Sequence, residues 1–465
     1  MLEGLEASEV WLSESFKNKD FRMDSDFWTK QPKKNLRLKY KKIGDILKLS
    51  QYGISVSMNE NNRGFPIYRM NEIHNMLCDL SVDKYADIST DEFQDFELQD
   101  RDVLFNRTNS FEWVGRTGVY YQNDGIPKTF ASYLVRFNPD ENVVLPEYLA
   151  TFLSSKHGVW DVKRRARQSI NQTNVNPEEV KEIDIPILPM EFQKEIRNRF
   201  EKANKNRVLS HQIYHQAEEL LLETIGLKDF KPSEQGTNIK SFKDSFLATG
   251  RLDAEHYLPK YEEVRRVLMS HKGGFDVLGK LCNTYRGNFV EEYFYTDNNS
   301  GYAYIRGADI SSNIMITDKM TYLDEKFVRT NERLVQKGDI VMALIGSVGT
   351  AALVIADCVN SIISNNLGFI RINNQQILPE FLHLLLTHKN VGGLLFAQQE
   401  MRTAQPKISD KDIHNFPIPL VDIKIQQQIA ALIEESFYLR AESERLLSEA
   451  KEMVEGEIEG ENNKN

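Results

Sequence analysis

The residues that could carry chemistry do not form a recognisable catalytic set. Asn138 and Asn176 each precede a proline, but neither pair continues into the second proline and aromatic residue of an adenine-methyltransferase motif. The glycine-rich stretch 346–350 lacks the lysine of a phosphate-binding loop and is predicted to be a turn. His211 and His215 lack a third metal ligand nearby in sequence and are predicted to be surface residues. We therefore expect a chain without catalytic or metal centre.

Basic residues are the other polar groups with a clear chemical use, because they can bind phosphate. Residues 30–42 contain seven Lys or Arg and no acid, and residues 163–167 form a second basic cluster. The net charge of −10 opposes nucleic-acid binding, but about half of it lies in residues 442–465. The charge balance therefore permits local binding to DNA without indicating it.

Composition indicates a soluble protein of more than one domain. A length of 465 residues with 41% hydrophobic and 27% charged residues is typical of globular chains, and we find neither a secretory signal nor a membrane-spanning run. The three cysteines, Cys78, Cys282 and Cys358, are far apart, which predicts no disulfide framework. These features favour a cytoplasmic location.

The strongest pattern in the sequence is an internal repeat. LPEYLATFLSSKHG at 145–158 resembles LPEFLHLLLTHKNVG at 378–392, an offset of 233 residues. The same offset continues without a gap to Ile196 and Ile429. Upstream the similarity is weaker but keeps its order. The chain is therefore predicted to be one unit of about 230 residues, present twice.

Each unit is predicted to be an α+β domain followed by a long helix. Short β-like runs, separated by Gly, Asn and Asp, precede an amphipathic helix that has proline in its first turn. An extended Ile-Pro segment then leads into the long helix. The predicted strands are Ile43–Leu49, Asp102–Phe105, Ser132–Phe137, Tyr302–Ile305, Asp339–Leu344 and Leu367–Ile372, and the predicted helices are Pro146–Ser154, Pro379–Thr387, Glu191–Ile225 and Lys424–Val454.

The two long helices carry a heptad pattern, which requires a partner helix. One seam row contains small residues in both copies, so we predict that the helices pack together as an antiparallel coiled coil with pseudo-twofold symmetry. This row is Ile196, Ala203, Ser210 and Ala217 in the first helix, and Ile429, Ser436, Ser443 and Ala450 in the second. A second row is predicted at Arg199, Asn206, Ile213 and Leu220, and at Leu432, Leu439, Leu446 and Met453.

This duplicated order resembles the specificity subunit of type I restriction-modification systems. The features that carry the resemblance are two dissimilar globular parts, each followed by the more uniform block described above, and the RLDAEHY segment at 251–257. No single motif is specific, but the repeated order is, and it covers nearly the entire chain.

The resemblance implies a non-catalytic DNA-recognition subunit. Each globular part would be a target-recognition domain that reads one half of a bipartite double-stranded DNA site, and the helices would set the spacer. Two methyltransferase subunits would bind S-adenosylmethionine and methylate adenine N6. A motor and nuclease subunit, which uses ATP and magnesium, would complete the restriction form.

Comparison of the copies separates the predicted scaffold from the predicted readers. Two pairs of arginines are alike in both copies: Arg69 matches Arg306, and Arg136 matches Arg371. These arginines are expected to form core ion pairs or to contact phosphate. Polar residues in the segments that differ are expected to contact base edges, which predicts an asymmetric target. These reader segments are 50–64, 106–118 and 163–174 in the first copy, and 284–300, 344–352 and 400–407 in the second. The DNA-binding candidates are Arg69, Arg107, Asn109, Arg116, Lys163, Arg164, Arg165, Gln168, Asn171, Arg286, Asn288, Arg306, Ser347, Arg402, Gln405 and Lys407.

The predicted boundaries follow from the repeat. They are an N-terminal segment (1–35), target-recognition domain 1 (36–187), a first spacer helix (188–228), a connecting segment (229–262), target-recognition domain 2 (263–420), a second spacer helix (421–457) and an acidic tail (458–465). Residues 455–465 are predicted to be disordered.

Three alternatives stay open at this point. The chain could be the recognition subunit of a related type II or phage-exclusion system. It could also be a self-contained nuclease or methyltransferase, which the missing motifs oppose, or a coiled-coil scaffold that binds proteins.

Overall fold

The fold is described from a computed structural model of the chain. It covers residues 9–16, 22–170, 172–296, 301–311, 314–316, 320–324, 326, 333–400 and 405–460. The chain divides into two compact units. Unit 1 comprises Met1–Ser210 and Tyr438–Asn465, and unit 2 comprises His211–Phe437.

Unit 1 is an α+β domain with its core between a sheet and helices. Its helices are α1 (Leu12–Ser15), α2 (Ser25–Thr29), α3 (Ile43–Ile46), α4 (Thr90–Phe96), α5 (Pro146–Ser154), α6 (Lys156–Arg165), α7 (Pro177–Val180) and the start of α8 (Met190–Ile225). Its strands are β1 (Tyr40–Lys42), β2 (Leu47–Tyr52), β3 (Met58–Asn59), β4 (Phe65–Tyr68), β5 (Ile73–His74), β6 (Leu77–Cys78), β7 (Tyr85–Ala86), β8 (Val103–Asn106), β9 (Thr108–Asn109), β10 (Thr117–Val119), β11 (Thr129–Phe130), β12 (Leu134–Pro139), β13 (Arg167–Gln168), β14 (Thr173–Asn174) and β15 (Asp184–Pro186).

The main sheet of unit 1 has the strand order β2-β12-β8-β10-β6-β5. Its central strands are apolar on both faces, because Val103, Phe105 and Phe137 are fully buried against the helices while Leu104 packs on the opposite side. Strands β1 and β15 pair antiparallel, with Tyr40 opposite Pro186. This pair joins the beginning of the domain to its end.

The start of the first domain differs from the predicted strand at Ile43–Leu49. Residues Ile43–Ile46 form helix α3, and the strand runs instead from Leu47 to Tyr52. Ile43 and Ile46 are both buried, and their spacing of three places them on one face of a helical turn. The prediction of a strand from β-branched residues is therefore wrong for Ile43–Ile46.

Unit 2 repeats this plan with a smaller main sheet. Its strands are β16 (Phe275–Val277), β17 (Cys282–Arg286), β18 (Tyr295–Thr296), β19 (Tyr302–Ile305), β20 (Ile310–Ser311), β21 (Ile314–Met315), β22 (Thr321–Leu323), β23 (Ile340–Ala343), β24 (Ala351–Leu353), β25 (Ile362–Ile363), β26 (Leu367–Ile372) and β27 (Pro417–Pro419). Its helices are α9 (Phe246–Thr249), α10 (Pro259–Met269), α11 (Leu278–Leu281), α12 (Pro379–Thr387), α13 (Leu394–Gln399) and α14 (Asp410–His414), together with the end of α8 and the start of α15 (Ile423–Glu459). Its main sheet has the order β17-β26-β23-β24.

The repeated glutamines fix the start of each long helix. The Gln193 side chain accepts a hydrogen bond from the Leu145 amide (2.8 Å) and donates to the Leu188 carbonyl (2.9 Å). Gln426 does the same with Leu378 (2.9 Å) and Val421 (2.9 Å). Both glutamines are fully buried, so each hydrogen bond satisfies a backbone group that water cannot reach. This explains why glutamine recurs at an offset of 233.

The two long helices pack antiparallel within each unit. In unit 1 the Ser443 hydroxyl donates to the Ala203 carbonyl (2.8 Å), and Arg199 lies 3.8 Å from Glu449. In unit 2 the Tyr214 and Phe437 rings stack with centroids 6.4 Å apart. These helices confirm the fold class of α+β domains with an antiparallel helix pair.

The small-residue row is buried along its whole length. Its eight residues, Ile196, Ala203, Ser210, Ala217, Ile429, Ser436, Ser443 and Ala450, are each less than 9% exposed. The second row is split between two sets of positions. Ile213 and Leu446 are buried where predicted, whereas the other buried residues lie one residue further along, at Phe200, Leu221, Ile433, Leu447 and Val454. These further positions are buried because both helices also pack on their domain cores.

The structure corrects the predicted disorder after residue 454. Helix α15 continues to Glu459, and its last turns pack on unit 1 through Val454 and Ile458. Asn35 also donates from its side chain to the Ile458 carbonyl (2.9 Å). Residues 461–465 lie outside the described part of the chain.

A larger residue at Ala203 is expected to destabilise unit 1. Ala203 is fully buried at the point where the helices approach each other. Ala203→Leu would overpack this contact and lower the free energy of unfolding by about 1–3 kcal/mol in a urea titration. Lys205→Leu, two residues away on the exposed face, is the matched control. Equal urea midpoints for the two variants would contradict the tight packing.

Candidate nucleic-acid interface

The candidate segments of unit 1 meet in a three-stranded ribbon. Its strand order is β13-β14-β9, with Gln168 opposite Thr173 and Thr173 opposite Asn109. Segments 106–118 and 163–174, which are distant in sequence, are thus hydrogen-bonded to each other. Gln168 is exposed on the edge strand, whereas Asn171 lies outside the described residues. The ribbon therefore presents polar side chains from two predicted reader segments on one structural element.

Buried polar contacts hold the base of this ribbon. The side chain of Asn106, which is fully buried, donates to the Met70 carbonyl (3.2 Å) and accepts from the Thr108 amide (3.3 Å). The Thr108 hydroxyl donates to the Asn174 side chain (2.7 Å). These bonds tie β9 to β14 and to the body of the domain. The geometry gives the ribbon a defined position before any ligand binds.

Three cation–π contacts surround the ribbon. The Arg116 guanidinium lies 3.5 Å from the Trp113 ring centroid, and Lys163 lies 4.9 Å from that of Phe111. Arg107 lies 5.2 Å from the Tyr52 ring, and its Nε has no hydrogen-bond partner among the described residues.

All three rings in these contacts are partly exposed, at 39–45%. Burial lowers the pKa of Arg116, but a guanidinium stays charged. The surface therefore combines positive charge with exposed aromatic rings, which suits contact with a nucleic acid.

The basic cluster at 163–167 is largely engaged inside the protein. Lys163 donates to the carbonyls of Glu112 (3.0 Å) and Val114 (2.9 Å), and so holds the 111–114 turn. Arg164 pairs with Asp161 (2.6 Å) and donates to the Phe27 carbonyl (2.5 Å). Arg165 is buried and lies 3.2 Å from Asp161. These three side chains position the loop, while the neighbouring Gln168 extends to solvent.

The arginines that are alike in both copies form local ion pairs. Arg69 pairs with Glu72, and Arg306 pairs with Asp309 at 3.3 Å; in each case the acid, three residues on, also accepts a hydrogen bond from the arginine's own amide. Arg136 and Arg371 pair at 2.9 and 2.6 Å with buried acids, Asp102 and Asp339, which immediately precede the neighbouring strands β8 and β23. The ion-pair alternative therefore describes both pairs of arginines in this structure.

Unit 2 brings its own reader segments together in the same way. Ile345 forms an antiparallel bridge with Lys407, the Gly346 amide donates to the Pro406 carbonyl (2.9 Å), and the Ile408 amide donates to the Leu344 carbonyl (3.0 Å). Lys407 corresponds to Asn174 of unit 1 at the offset of 233. The pairing is therefore the same in both units, although the residues that it presents differ.

The remaining candidates of unit 2 lie near this bridge in varied surroundings. Ser347 is exposed in the turn after β23, and Gln405 and Lys407 are exposed before α14, while Arg402 lies outside the described residues. Arg286 is half exposed and pairs with Asp410 at 2.9 Å. Asn288 forms a parallel bridge with Ser364.

Sequence reasoning did not single out several exposed residues near these surfaces. Tyr52 lies near the ribbon of unit 1, and Phe289 (66% exposed) and Tyr293 (88% exposed) lie in the variable segment 284–300 of unit 2. Their signal was present, because large aromatic residues in a variable polar segment are candidates for a contact surface. Arg167 belongs to the predicted basic cluster and to strand β13, but was not named as a DNA-binding candidate; it pairs with Glu179 at 3.4 Å.

The cysteines and the paired histidines of α8 were the other groups considered for chemistry. All three cysteines are buried, and burial raises the pKa of the Cys282 thiol to about 12 and that of Cys358 to about 11. His211 and His215 are exposed, and His215 lies 3.6 Å from Glu219. Among the described residues no group of three or more His, Cys, Asp or Glu is arranged to hold a metal. The helices that the structure describes are too short or too polar to cross a membrane.

The chain is thus a duplicated protein, in which each α+β unit presents a pair of variable polar segments joined by backbone hydrogen bonds. The model of one family, the type I restriction modification DNA specificity domain, matches residues 35–219 and 278–449. This chain belongs to that family. The sequence-based identification of a type I specificity subunit is thereby confirmed.

Curated relatives match part of the chain. It is 28% identical over 159 residues to a putative type I restriction enzyme MjaX specificity subunit of Methanocaldococcus jannaschii, covering 34% of this chain and 37% of the relative. It is 27% identical over 166 residues to the type I restriction enzyme EcoKI specificity subunit of Escherichia coli, covering 35% and 36%. The aligned region thus spans little more than a third of the length of each relative.

Solved structures match more of the chain at lower identity. The S subunit of a type I restriction-modification system from M. genitalium is 12% identical, covers 91% of this chain and 97% of its own, and gives a TM-score of 0.43. The HsdS subunit from Thermoanaerobacter tengcongensis is 14% identical, covers 92% and 98%, and gives a TM-score of 0.30.

Proposed function

We propose that this chain recognises an asymmetric, bipartite DNA sequence and docks the enzymes that act on it, without catalysing a reaction itself. Each unit reads one half of the target through its paired variable segments and the surrounding loops. The observation that carries the proposal is the repeated pairing of two variable segments, 106–118 with 163–174 and 344–352 with 400–407, in a family of DNA specificity domains.

The DNA-contacting roles follow from exposure and from chemistry. Gln168, Asn109 and Gln405 have side chains that can donate to and accept from base edges, and the exposed Lys407 can contact phosphate or guanine. Arg107 and Arg116 supply positive charge beside aromatic rings. Since the two units present different residues on the same frame, the two half-sites are expected to differ.

The proposal is tested by reconstituting the complex. The chain is purified with its methyltransferase subunit, supplied with S-adenosylmethionine and genomic DNA, and the modified adenines are mapped by single-molecule sequencing. We expect one asymmetric motif with two defined halves and a spacer of fixed length. Random methylation, or methylation of the same sequence without this chain, would refute the proposal.

Removal of the Gln168 side chain is expected to relax recognition of one half-site. Gln168 is exposed on the edge strand of the unit 1 ribbon. A lost base contact of about 1–3 kcal/mol corresponds to roughly tenfold or more in discrimination. Methylation rates on the mapped target and on its single-base variants would measure the effect of Gln168→Ala. Gln212→Ala, exposed on α8, serves as the control, and equal discrimination in the two variants would count against the ribbon as a reader.

We propose two methyltransferase subunits as the direct partners, because a surface for a partner is also duplicated. The sequence LSESF at 12–16 matches FKDSF at 242–246, each shortly before an Arg-x-Asp motif. Large apolar side chains are exposed in both, including Trp11 (78%) and Leu247 (67%). Exposed apolar residues that recur in both copies favour two copies of one protein partner. The motor and nuclease subunit, with its ATP and magnesium, would then join this methyltransferase assembly.

Substitutions in these segments are expected to halve the amount of bound partner. Phe16→Ser and Phe246→Ser would each remove an exposed ring, 59% and 39% exposed, from one copy. We expect each single variant to bind one methyltransferase subunit instead of two in native mass spectrometry, and the double variant to bind none. Tyr438→Ser, at an exposed residue of α15, is the control. Retention of two subunits by both single variants would exclude these segments as docking sites.

A further inference from the structure

Arg22 links the N-terminal segment to both ends of the unit 1 ribbon. Its guanidinium donates to Asp24 through Nε (2.8 Å) and Nη2 (2.6 Å). Its Nη1 donates to the carbonyl of Arg165 (2.7 Å) and to the carboxylate of Glu179 (3.3 Å). The β13–β14 hairpin of the ribbon runs from residue 167 to residue 174, so Arg165 precedes it and Glu179 follows it. One side chain thus binds the chain on both sides of this hairpin.

The backbone of Arg22 is held as firmly as its side chain. The indole of Trp28 donates to the Arg22 carbonyl (2.8 Å), and so does the Ser15 hydroxyl (3.1 Å). The Phe27 ring lies under the guanidinium, 4.8 Å from its carbon. Arg22 is only 9% exposed, so water does not compete well for these hydrogen bonds.

Unit 2 contains the same arrangement around Arg251. Its guanidinium donates to Asp253 (2.9 Å) and to the carbonyls of Gln399 (3.0 Å) and Glu400 (3.1 Å), which end helix α13. The Tyr257 hydroxyl donates to the Arg251 carbonyl (2.9 Å), as Trp28 does for Arg22. The hydrogen bond with Asp253 raises the pKa of Arg251, burial opposes this effect, and the charges of Asp253 and then Asp412 raise the pKa further.

The two arrangements also correspond in the sequence around them. Asp412 stands at the offset of 233 from Glu179, and Gln398 stands at the same offset from Arg165. His256, which corresponds to Phe27, lies 2.8 Å from the Gln398 carbonyl. In each unit, therefore, an arginine that precedes the predicted recognition domain binds the end of the helix before the variable loop. Arg22 also binds the acid after the loop, whereas Asp412 acts on Arg251 only through its nearby charge.

We propose that Arg22 with Asp24, and Arg251 with Asp253, are positioning residues for sequence discrimination, and that each pair acts on the half-site of its own unit. The inference rests on the proposed function. A planar guanidinium can donate to a carboxylate and to a helix-end carbonyl at once, whereas lysine cannot reproduce this geometry. Removal of the guanidinium would leave the ribbon in place but would allow its base-contacting side chains to shift. Mismatched bases in that half-site would then be tolerated better.

The test uses the full chain in complex with its methyltransferase subunit. Arg22→Gln and Arg251→Gln are compared with the native chain on the mapped target and on every single-base variant of it. For Arg22→Gln we expect methylation of targets altered in the unit 1 half-site to rise about fivefold or more relative to the native target. Targets altered in the other half-site should keep their native discrimination. Arg251→Gln should give the reverse pattern.

Two further variants protect this test from a loss of stability. Arg22→Lys keeps the positive charge beside Glu179 but loses the planar guanidinium with its several donors, and should therefore behave like Arg22→Gln. Asp24→Asn alters the 45%-exposed carboxylate and should give a weaker change at the same half-site. Arg266→Gln, on the exposed face of α10, is the control and should change neither half-site.

The possible results separate the inference from the proposed function. If the native complex methylates no defined motif, the proposed function fails. If it methylates a motif, and both Arg22→Gln and Arg251→Gln keep native discrimination, the positioning role is wrong. An equal loss at both half-sites from either variant would indicate general destabilisation and would also overturn the inference.

Discussion

Exchange of residues 36–187 for the corresponding domain of another family member is expected to change one half of the DNA target and to leave the other half unchanged. The exchanged segment contains every predicted reader of unit 1, including the ribbon. Residues 188–465 keep both long helices, so the spacer between the half-sites should keep its length.

The structure favours this exchange because the two ends of the domain are adjacent. Strand β1 pairs with β15, and the Ile187 amide donates to the Lys39 carbonyl (2.7 Å). A graft joined at residues 36 and 187 therefore replaces a closed domain without stretching either junction. The donor domain should carry an acid at the position of Glu179, because Arg22 lies outside the graft and contacts this carboxylate.

Adenine mapping in cells that express the hybrid with its methyltransferase partner would measure the result. The reciprocal exchange of residues 263–420 is the matched control and should change the other half-site. An unchanged motif in either hybrid would show that recognition does not reside in that domain. A change in both halves would contradict the assignment of one half-site to one unit.

The repeat explains how much of this fold the sequence predicts. Helices at Pro146–Ser154 and Pro379–Thr387 begin and end where predicted, because proline at the first turn and an apolar face give two independent signals. Two predicted strands of the second copy, Tyr302–Ile305 and Leu367–Ile372, also have the predicted bounds. In contrast, Ile43–Ile46 form a helical turn where a strand was predicted. The two isoleucines are three residues apart, which suits one face of a helix, but their β-branched side chains favour a strand.

The candidate site was predictable as segments and not as contacts. Divergence between the copies marks 106–118 and 163–174 as variable, but it does not show that β9 and β14 pair. Nor could sequence reveal that Lys163 and Arg164 donate to backbone carbonyls of distant segments while Gln168 faces solvent. Tertiary contacts decide which basic residues remain available. The role of Arg22 was hidden for the same reason, because Arg165 and Glu179 are more than 140 residues away in sequence.

Removal of the Arg136 side chain is expected to cause the largest loss of stability in unit 1. Arg136 donates to the Asp102 carboxylate (2.9 Å) and to the Glu97 carbonyl (2.7 Å), and both side chains of the ion pair are less than 10% exposed. Arg136→Met keeps most of the apolar volume but leaves Asp102 buried without its cation. Breaking a buried pair in this way costs about 3–5 kcal/mol, which a urea titration followed by circular dichroism would measure.

Unit 2 provides a matched comparison. Arg371 pairs with Asp339 at 2.6 Å, but its side chain is 26% exposed, against 8% for Arg136. The carboxylate of Asp339 is also buried, but water can enter the space that the partly exposed Arg371 side chain leaves, so Arg371→Met should cost less than Arg136→Met. An equal or larger loss for Arg371→Met would contradict burial as the cause.

The pH dependence distinguishes an uncompensated charge from a packing defect. Burial raises the pKa of Asp102, although the hydrogen bond from the Gln99 amide and the charge of Arg136 oppose this effect. Loss of Arg136 removes one of these opposing effects and should raise the pKa further. The folded variant then binds a proton more tightly than the unfolded chain, so its deficit is complete above the folded-state pKa and shrinks as the pH falls towards the unfolded value. The double variant Arg136→Met with Asp102→Asn should recover most of the loss at neutral pH, because no buried charge remains. A deficit that is independent of pH and persists in the double variant would assign the effect to packing.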